Sequence, residues 1–298
     1  MAITKVKTLR AICHKWNGNV QHLKRLKLCE GVTMTIYAAI DQSPLLDLLF
    51  YPRRDFTPPP EGAFDLFSPV DEGISIHIRF YLHDKTNPWI LFFHGNGEVV
   101  SDYDDIAPLY GQIGVNLAVA DYRGYGASGG RPTFTHLVHD AQLLFGAVKK
   151  ELSQKSFSGN LWIMGRSLGS ISALELGYCY PDQIRGLIIE SGFASVTRLI
   201  KHLGLPSRGI DLEPIENEHR TRIRKIFLPS LIIHGEFDHL VPLQEARDLL
   251  AYLGTAEKEL VIIPGADHNN VMFTSAEQYF EAIQKIIKTD GGPDTFAH

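Results

Sequence analysis

The stretch Leu161-Trp162-Ile163-Met164-Gly165-Arg166-Ser167-Leu168-Gly169-Ser170-Ile171 decides the fold. Its first four residues are all apolar, the pattern of a parallel strand buried on both faces. Gly-x-Ser-x-Gly follows at once and leads into 168–179, which reads as a helix. A serine hydroxyl is a weak nucleophile and must stand where a base can take its proton. A sharp strand-to-helix turn puts Ser167 there, above the sheet edge and in strained backbone, and side chains at Gly165 and Gly169 would collide with neighbouring backbone. The helix behind it aims its N-terminal amides and partial positive charge at a developing oxyanion. The pentapeptide by itself is common; the strand before it and the helix after it separate it from an ordinary Gly/Ser turn.

Working outward, short apolar runs alternate with longer amphipathic ones. The spacing predicts strands over 74–82, 89–93, 116–121, 160–164, 185–189, 229–233 and 259–263, with helices over about 102–113, 134–153, 168–179, 243–253 and 275–288. The last helix sets Tyr279, Ile283, Ile286 and Ile287 on one stripe. Alternation of this kind gives a mostly parallel central sheet with helices on both faces. Segment 74–82 differs: Ile74, Ile76, Ile78 and Phe80 alternate with Ser75, His77 and Arg79, which predicts a half-exposed antiparallel strand at the leading edge. Residues 52–62 hold four prolines and read as an extended connector. Residues 194–226 are long for a bare loop and read as a small cap inserted into the sheet domain.

Ser167 needs a carboxylate and then a histidine downstream, each in a loop at the carboxyl edge of the sheet. Two loops qualify. The strand that opens at Pro229 runs through a turn into Asp238 and Pro242, and the strand Leu260–Ile263 runs through Pro264-Gly265 to His268. His268 is the candidate base and Asp238 the group that fixes its tautomer. Glu190, which also ends a strand, is the rival carboxylate. The other histidines and Asp267 read as ordinary: His136 and His139 as solvated positions on a helix, His234 as a satisfied core residue, His239 as lying off the strand end, and Asp267 as a local loop acceptor. Oxyanion donors fall to the backbone N–H of Leu168 and to that of Asn96, in the turn His94-Gly95-Asn96-Gly97 after an apolar strand.

These pieces resemble the α/β-hydrolase superfamily over roughly 48–290. The motifs, in order, are Phe50-Tyr51-Pro52, His94-Gly95-Asn96-Gly97, Asp121-Tyr122-Arg123-Gly124-Tyr125-Gly126-x-Ser128-x-Gly130, Gly165-Arg166-Ser167-Leu168-Gly169 and His234-Gly235-x-x-Asp238-x-x-Val241-Pro242. Within the superfamily they are similar to a branch of single-domain serine hydrolases that includes membrane-associated members and protein depalmitoylases. The resemblance implies an α/β-hydrolase fold and a glycine-rich loop near the site, where Tyr122 and Tyr125 are candidate substrate contacts. Phe193 and Leu199 are further candidates, beside Ile200, Leu203 and Leu205; these residues either line an acyl pocket or form the insertion's own core. The chain departs from the branch at its start, which carries neither an uninterrupted hydrophobic anchor nor a cysteine cluster.

Composition sets the outer bounds. The chain has 298 residues, 44% hydrophobic and 21% charged, enough to bury a sizeable core and outside the range of disordered chains. Residues 1–29 carry seven of the 29 basic residues and no Asp or Glu, so the remaining 22 face 34 acidic residues. An acidic body argues against nucleic acid as a partner. The basic segment offers a weak contact to an anionic membrane surface, or is a solvated arm on the acidic body. Three cysteines fit a reducing compartment. With neither a signal-peptide core nor an apolar run of spanning length, the expected location is the cytoplasm, peripheral to a membrane if the basic arm makes that contact. The spacing of Cys13, His14, His22 and Cys29 matches no common zinc pattern, and no metal or cofactor is expected. The resulting organisation is a basic segment 1–47, a hydrolase domain 48–290 with a cap at about 194–226, and a tail 291–298. The expected activity is serine-dependent cleavage of a small-molecule acyl ester or thioester, with a serine peptidase or amidase, and a non-catalytic binding protein, as the alternatives.

Overall fold

The computed structural model describes residues 37–41, 45–207 and 209–289. The basic arm 1–29, the Cys13/His14/His22/Cys29 set and the tail 291–298 lie outside the described residues. Eight strands form one sheet: β1 (Ala63–Asp71), β2 (Ile74–Tyr81), β3 (Trp89–Phe93), β4 (Asn116–Ala120), β5 (Leu161–Arg166), β6 (Leu187–Glu190), β7 (Ser230–Gly235) and β8 (Lys258–Ile263). Their spatial order is β1-β2-β4-β3-β5-β6-β7-β8. Only the β1–β2 and β2–β4 pairings are antiparallel; the remaining pairs run parallel. The helices are α1 (Ala107–Gln112), α2 (Phe134–Gln154), α3 (Ser170–Cys179), α4 (Val196–His202), α5 (Glu213–Arg224), α6 (Leu243–Tyr252) and α7 (Ala276–Thr289), besides single turns.

Every residue of β3, β4 and β7 is buried, as near-continuous apolar strands covered on both faces should be. Ile90, Phe92, Trp162 and Met164 join one cluster with Tyr110 of α1 and Tyr279, Phe280 and Ile283 of α7. Leu91, Phe93 and Ile163, alternating with them, point to the other face. There α3 packs on β5 and on α2. The parallel register pairs Phe93 with Gly165, Arg166 with Glu190, Glu190 with Ile233, and Gly235 with Ile263. The loops that follow β3, β5, β6, β7 and β8 therefore leave the sheet along one edge. No helix among the described residues is long and apolar enough to cross a membrane.

Three expectations need correction. The leading edge is β1, and 74–82 is its inner neighbour. β1 carries Pro69 opposite Ser75 and a register shift by Asp71, and an edge strand tolerates both because one row of its N–H groups has no ladder partner. The second correction is that His77 and Arg79 of β2 are buried. Arg79 is fully covered; its guanidinium reaches Asp65 at 2.7 Å, Asp104 at 2.9 Å and the Thr57 carbonyl at 2.5 Å. His77 is sandwiched by ring contacts with Phe56 and Phe67. The Pro-rich connector and β1 thus supply the cover that an alternating pattern alone assigns to water. The helix read at 102–113 is also split, into one 3-10 turn at Val100–Tyr103 and α1, whose first turn holds Pro108.

Between β6 and β7 lie α4 and α5, which pack on one another; α5 also packs on α3 and α6. The polar face of this insertion is internally bonded: Glu216 accepts from Ser195 and Thr197, both at 2.7 Å, and Arg222 reaches Glu175 of α3 at 2.5 Å. His219 of α5 is buried and hydrogen-bonded to the Phe193 backbone. Burial pulls its pKa down to about 4, and the Glu216 carboxylate opposes this only in part. The unfolded chain takes up that proton near pH 6.5 and the folded chain near 4, so stability is full above 6.5 and falls as pH drops through this window. Urea titrations at pH 7.5 and 4.5 should show wild type losing about 3 kcal/mol more than His219→Gln over that interval; parallel losses would contradict the assignment.

Candidate active site

The site is built at the end of β5. Arg166 closes the strand, Ser167 turns at φ +50°, and a single 3-10 turn, Ser167–Gly169, runs directly into α3. A Cβ on Gly165 would overlap the Gly169 carbonyl, and one on Gly169 would overlap the Phe93 carbonyl, both inside any real contact distance. The glycines are what let the turn close against β3. The hydroxyl of Ser170 donates to the Ser167 carbonyl at 2.7 Å and holds the turn from within.

Three loops bring the candidate residues together. His268 Nε2 lies 2.9 Å from Ser167 Oγ, and His268 Nδ1 lies 2.7 Å from Asp238 Oδ2. A carboxylate only accepts, so Nδ1 carries the proton and Nε2 is left to accept from the serine hydroxyl. Asp238 Oδ1 accepts the N–H groups of Leu240 and Val241 at 3.0 and 2.7 Å. Burial works against the Asp238 charge, yet the His268 hydrogen bond and the Val241 N–H together hold its carboxyl below the usual carboxylate range. All three side chains are buried, with Ser167 only 8% exposed. The rival Glu190 is engaged elsewhere: it accepts from Arg166 Nε at 3.1 Å and from the Tyr279 hydroxyl at 2.7 Å. Burial keeps its carboxyl above the usual range, although Arg166 opposes this.

The other histidines sort by their surroundings. His234 is fully buried and donates from Nε2 to the Val241 carbonyl at 2.8 Å; burial holds its pKa down, so the ring is neutral. His239 is exposed, and exposed Asp267 accepts the Asn269 N–H at 2.8 Å. His136 and His139, expected to be solvated, are half-buried on α2.

The turn after β3 is pinned on all sides. Asn96 Oδ1 accepts from the Tyr51 N–H at 3.0 Å and the Tyr125 hydroxyl at 2.6 Å, and its amide donates to the Leu49 carbonyl at 2.5 Å. The Gly95 N–H is taken by Glu98 Oε2 at 2.8 Å. Among the described residues no acceptor takes the Asn96 N–H. Tyr122 and Tyr125, read as candidate substrate contacts, are 4% and 0% exposed, and their hydroxyls donate to the His94 carbonyl and to Asn96. Their hydroxyls build the turn. Phe193 is likewise buried, at 2% exposure, whereas Leu199 on α4 is half-buried.

Sequence reasoning passed over one cluster. Arg166 contacts Glu98 and Glu190, and its Nη2 donates to the His268 carbonyl at 2.8 Å. The only signal for it was a long cationic side chain inside the pentapeptide and an acid just past the Asn96 turn. Among the described residues, no group of three His, Cys, Asp or Glu side chains is arranged to hold a metal ion.

Comparisons with known proteins bear on the fold. The family model described as "Serine aminopeptidase, S33" matches residues 84–208. YfhR of Salmonella typhimurium is 26% identical over 289 residues, covering 91% of this chain and 98% of its own. The bem46 protein of Schizosaccharomyces pombe is 29% identical over 209 residues, 68% of each chain. Among solved structures, the Pyrococcus furiosus esterase Pf2001 superposes with a TM-score of 0.65 at 16% identity, covering 80% of this chain and 98% of that one. Est1E of Butyrivibrio proteoclasticus does so with a TM-score of 0.60 at 18% identity, covering 76% and 98%. With the eight-stranded, mostly parallel sheet, these likenesses show that the chain has the α/β-hydrolase fold.

The elbow makes a sharp prediction. Gly169→Ala should cost at least ~2 kcal/mol in urea unfolding, because backbone and not a flexible side chain stands in the way. Gly177→Ala, where a new methyl meets ordinary contacts inside α3, should be neutral or stabilising by up to ~1 kcal/mol. Equal effects at the two sites would contradict the close approach.

Proposed function

We propose that the protein is a serine hydrolase that cleaves carboxylic esters or thioesters through an acyl-enzyme. The single observation that carries this reading is the continuous hydrogen-bonded line from Ser167 Oγ through His268 to Asp238, at 2.9 and 2.7 Å. In the first half-reaction His268 Nε2 takes the Ser167 proton as Oγ attacks the substrate carbonyl carbon. Asp238 keeps the imidazole in the required tautomer and stabilises the imidazolium. The tetrahedral oxyanion is received by the N–H groups of Leu168 and Asn96. His268 then returns the proton to the departing alcohol or thiol, leaving the acyl group on Ser167. Water, deprotonated by His268, attacks the acyl carbon, and collapse of the second tetrahedral intermediate releases the acid and restores Ser167.

Esterases among the fold neighbours support the ester reading. The name of the matching family model favours a second reading, cleavage of an amino-terminal peptide bond. Such a substrate presents an ammonium that wants a free carboxylate. The two carboxylates joined to the elbow through Arg166, Glu98 and Glu190, are instead bonded to that guanidinium and to tyrosine hydroxyls. In this reading the 48–290 segment is the hydrolase domain, the 194–226 insertion shapes acyl selection through the exposed part of α4, and the cytoplasm is its compartment.

A panel of nitrophenyl esters of rising chain length, a thioester and an amino-acyl nitroanilide distinguishes the readings. Esters or the thioester should turn over and the anilide should not; the reverse would establish the peptidase reading. Ser167→Ala should abolish turnover, and Asp238→Asn should lower kcat by about 10⁴-fold through loss of the correct tautomer. Near-normal turnover in Asp238→Asn, with Glu190→Gln inactive, would reassign the acid.

A further inference from the structure

Resting on the serine-hydrolase reading, we infer that Arg166 is a positioning residue that locks the backbone of the base-bearing loop to the nucleophile strand and to the turn after β3. Asp238 sets the rotation of the His268 ring, but it cannot by itself set where the His268 backbone stands relative to Ser167. The distance between Nε2 and Oγ depends on both. Arg166 is the residue immediately before the nucleophile, and its side chain is mostly buried. From that position it donates to the His268 carbonyl at 2.8 Å. The same guanidinium is held from two other directions, by Glu98 through Nη1 and by Glu190 at 3.1 Å through Nε.

Each carboxylate is itself anchored. The second oxygen of Glu98 accepts the Gly95 N–H at 2.8 Å and the Tyr103 hydroxyl at 2.7 Å. The second oxygen of Glu190 accepts the Tyr279 hydroxyl at 2.7 Å. One planar fork therefore ties together the ends of β5 and β6, the Gly95–Glu98 turn and the His268 loop. A guanidinium presents these donors in fixed directions; an ammonium is a point charge and cannot span the three acceptors. By engaging the Gly95 N–H, Glu98 also leaves the next amide, that of Asn96, as the one open to the oxyanion. Burial works against the Glu98 charge, but Arg166 overrides it and holds the carboxyl below its usual range, so the pair stays ionised. A cavity of about 140 Å³ lined in part by Glu98, Arg166, Glu190 and Tyr279 adjoins the guanidinium.

The test compares Arg166→Lys, Glu98→Gln and Arg166→Ala with wild type, by ester hydrolysis and by the time course of fluorophosphonate labelling. Displacement of reacting groups by an ångström costs up to about 100-fold. Arg166→Lys and Glu98→Gln should lose about 10- to 100-fold in kcat with KM within about threefold. Their labelling should be slowed by the same factor yet still run to one probe per chain. Millimolar guanidinium ion, entering beside the cavity, should restore part of the labelling rate of Arg166→Ala. A merely structural role would lower the final extent of labelling while leaving the rate of the labelled fraction unchanged, and that result would overturn the proposal. So would wild-type kcat in Arg166→Lys. If Arg166→Ala fails to fold, Glu98→Gln decides by the same rate-against-extent comparison. A wild-type protein that neither labels nor hydrolyses any ester would overturn the hydrolase reading, and the positioning role with it.

Discussion

The backbone of Ser167 is held at φ +50°, in a region that costs an L-residue roughly 1–2 kcal/mol. Nothing about serine favours it. It persists because β5 and α3 must join without a connecting loop, and because Gly165 and Gly169 let the chain fold back on itself against the end of β3. The strain has a use: the side chain is thrown out at the sheet edge while the start of α3 stays underneath it. A relaxed turn would need another residue or two, and would carry the hydroxyl away from the loops after β3, β7 and β8.

Those loops are placed by the sheet. Parallel register brings the carboxyl ends of β3, β5, β6 and β7 level, so short loops suffice and each can be buried at its base. His268 is then fixed twice, its ring by Asp238 and its backbone by Arg166. The two tethers come from separate elements, one from the loop after β7 and one from the end of β5. The turn after β3 is fixed in the same manner, by its own Asn96 side chain and by Glu98. Polar groups this well satisfied in a buried setting hold one geometry, which is what a reaction dependent on sub-ångström placement requires.

Much of this was legible in the chain, for identifiable reasons. The central strands announce themselves because they are buried on both faces and so run apolar without interruption. Ser167, Asp238 and His268 were legible because a sheet edge admits few positions, each following a strand in a set order. What escaped was whatever depended on cover from distant segments. β1 was missed because an edge strand can hold Pro69 and need not alternate cleanly. His77 and Arg79 look solvent-facing until the Pro-rich connector is laid over them. Tyr122 and Tyr125 lie in the glycine-rich loop, and their hydroxyls hold a turn nearly thirty positions earlier in the chain, which sequence spacing does not reveal. Arg166 was invisible as a clamp because its three partners come from three separate segments, 24, 68 and 102 positions away from it.

In the proposed reaction Ser167 attacks while the amides of Leu168 and Asn96 receive the charge. The most direct measurement is a crystal structure of the protein after reaction with a fluorophosphonate. Phosphorus should be bonded to Ser167 Oγ, with its phosphoryl oxygen ~3 Å from both amide nitrogens. An adduct on another residue, or a phosphoryl oxygen directed away from both amides, would contradict the account.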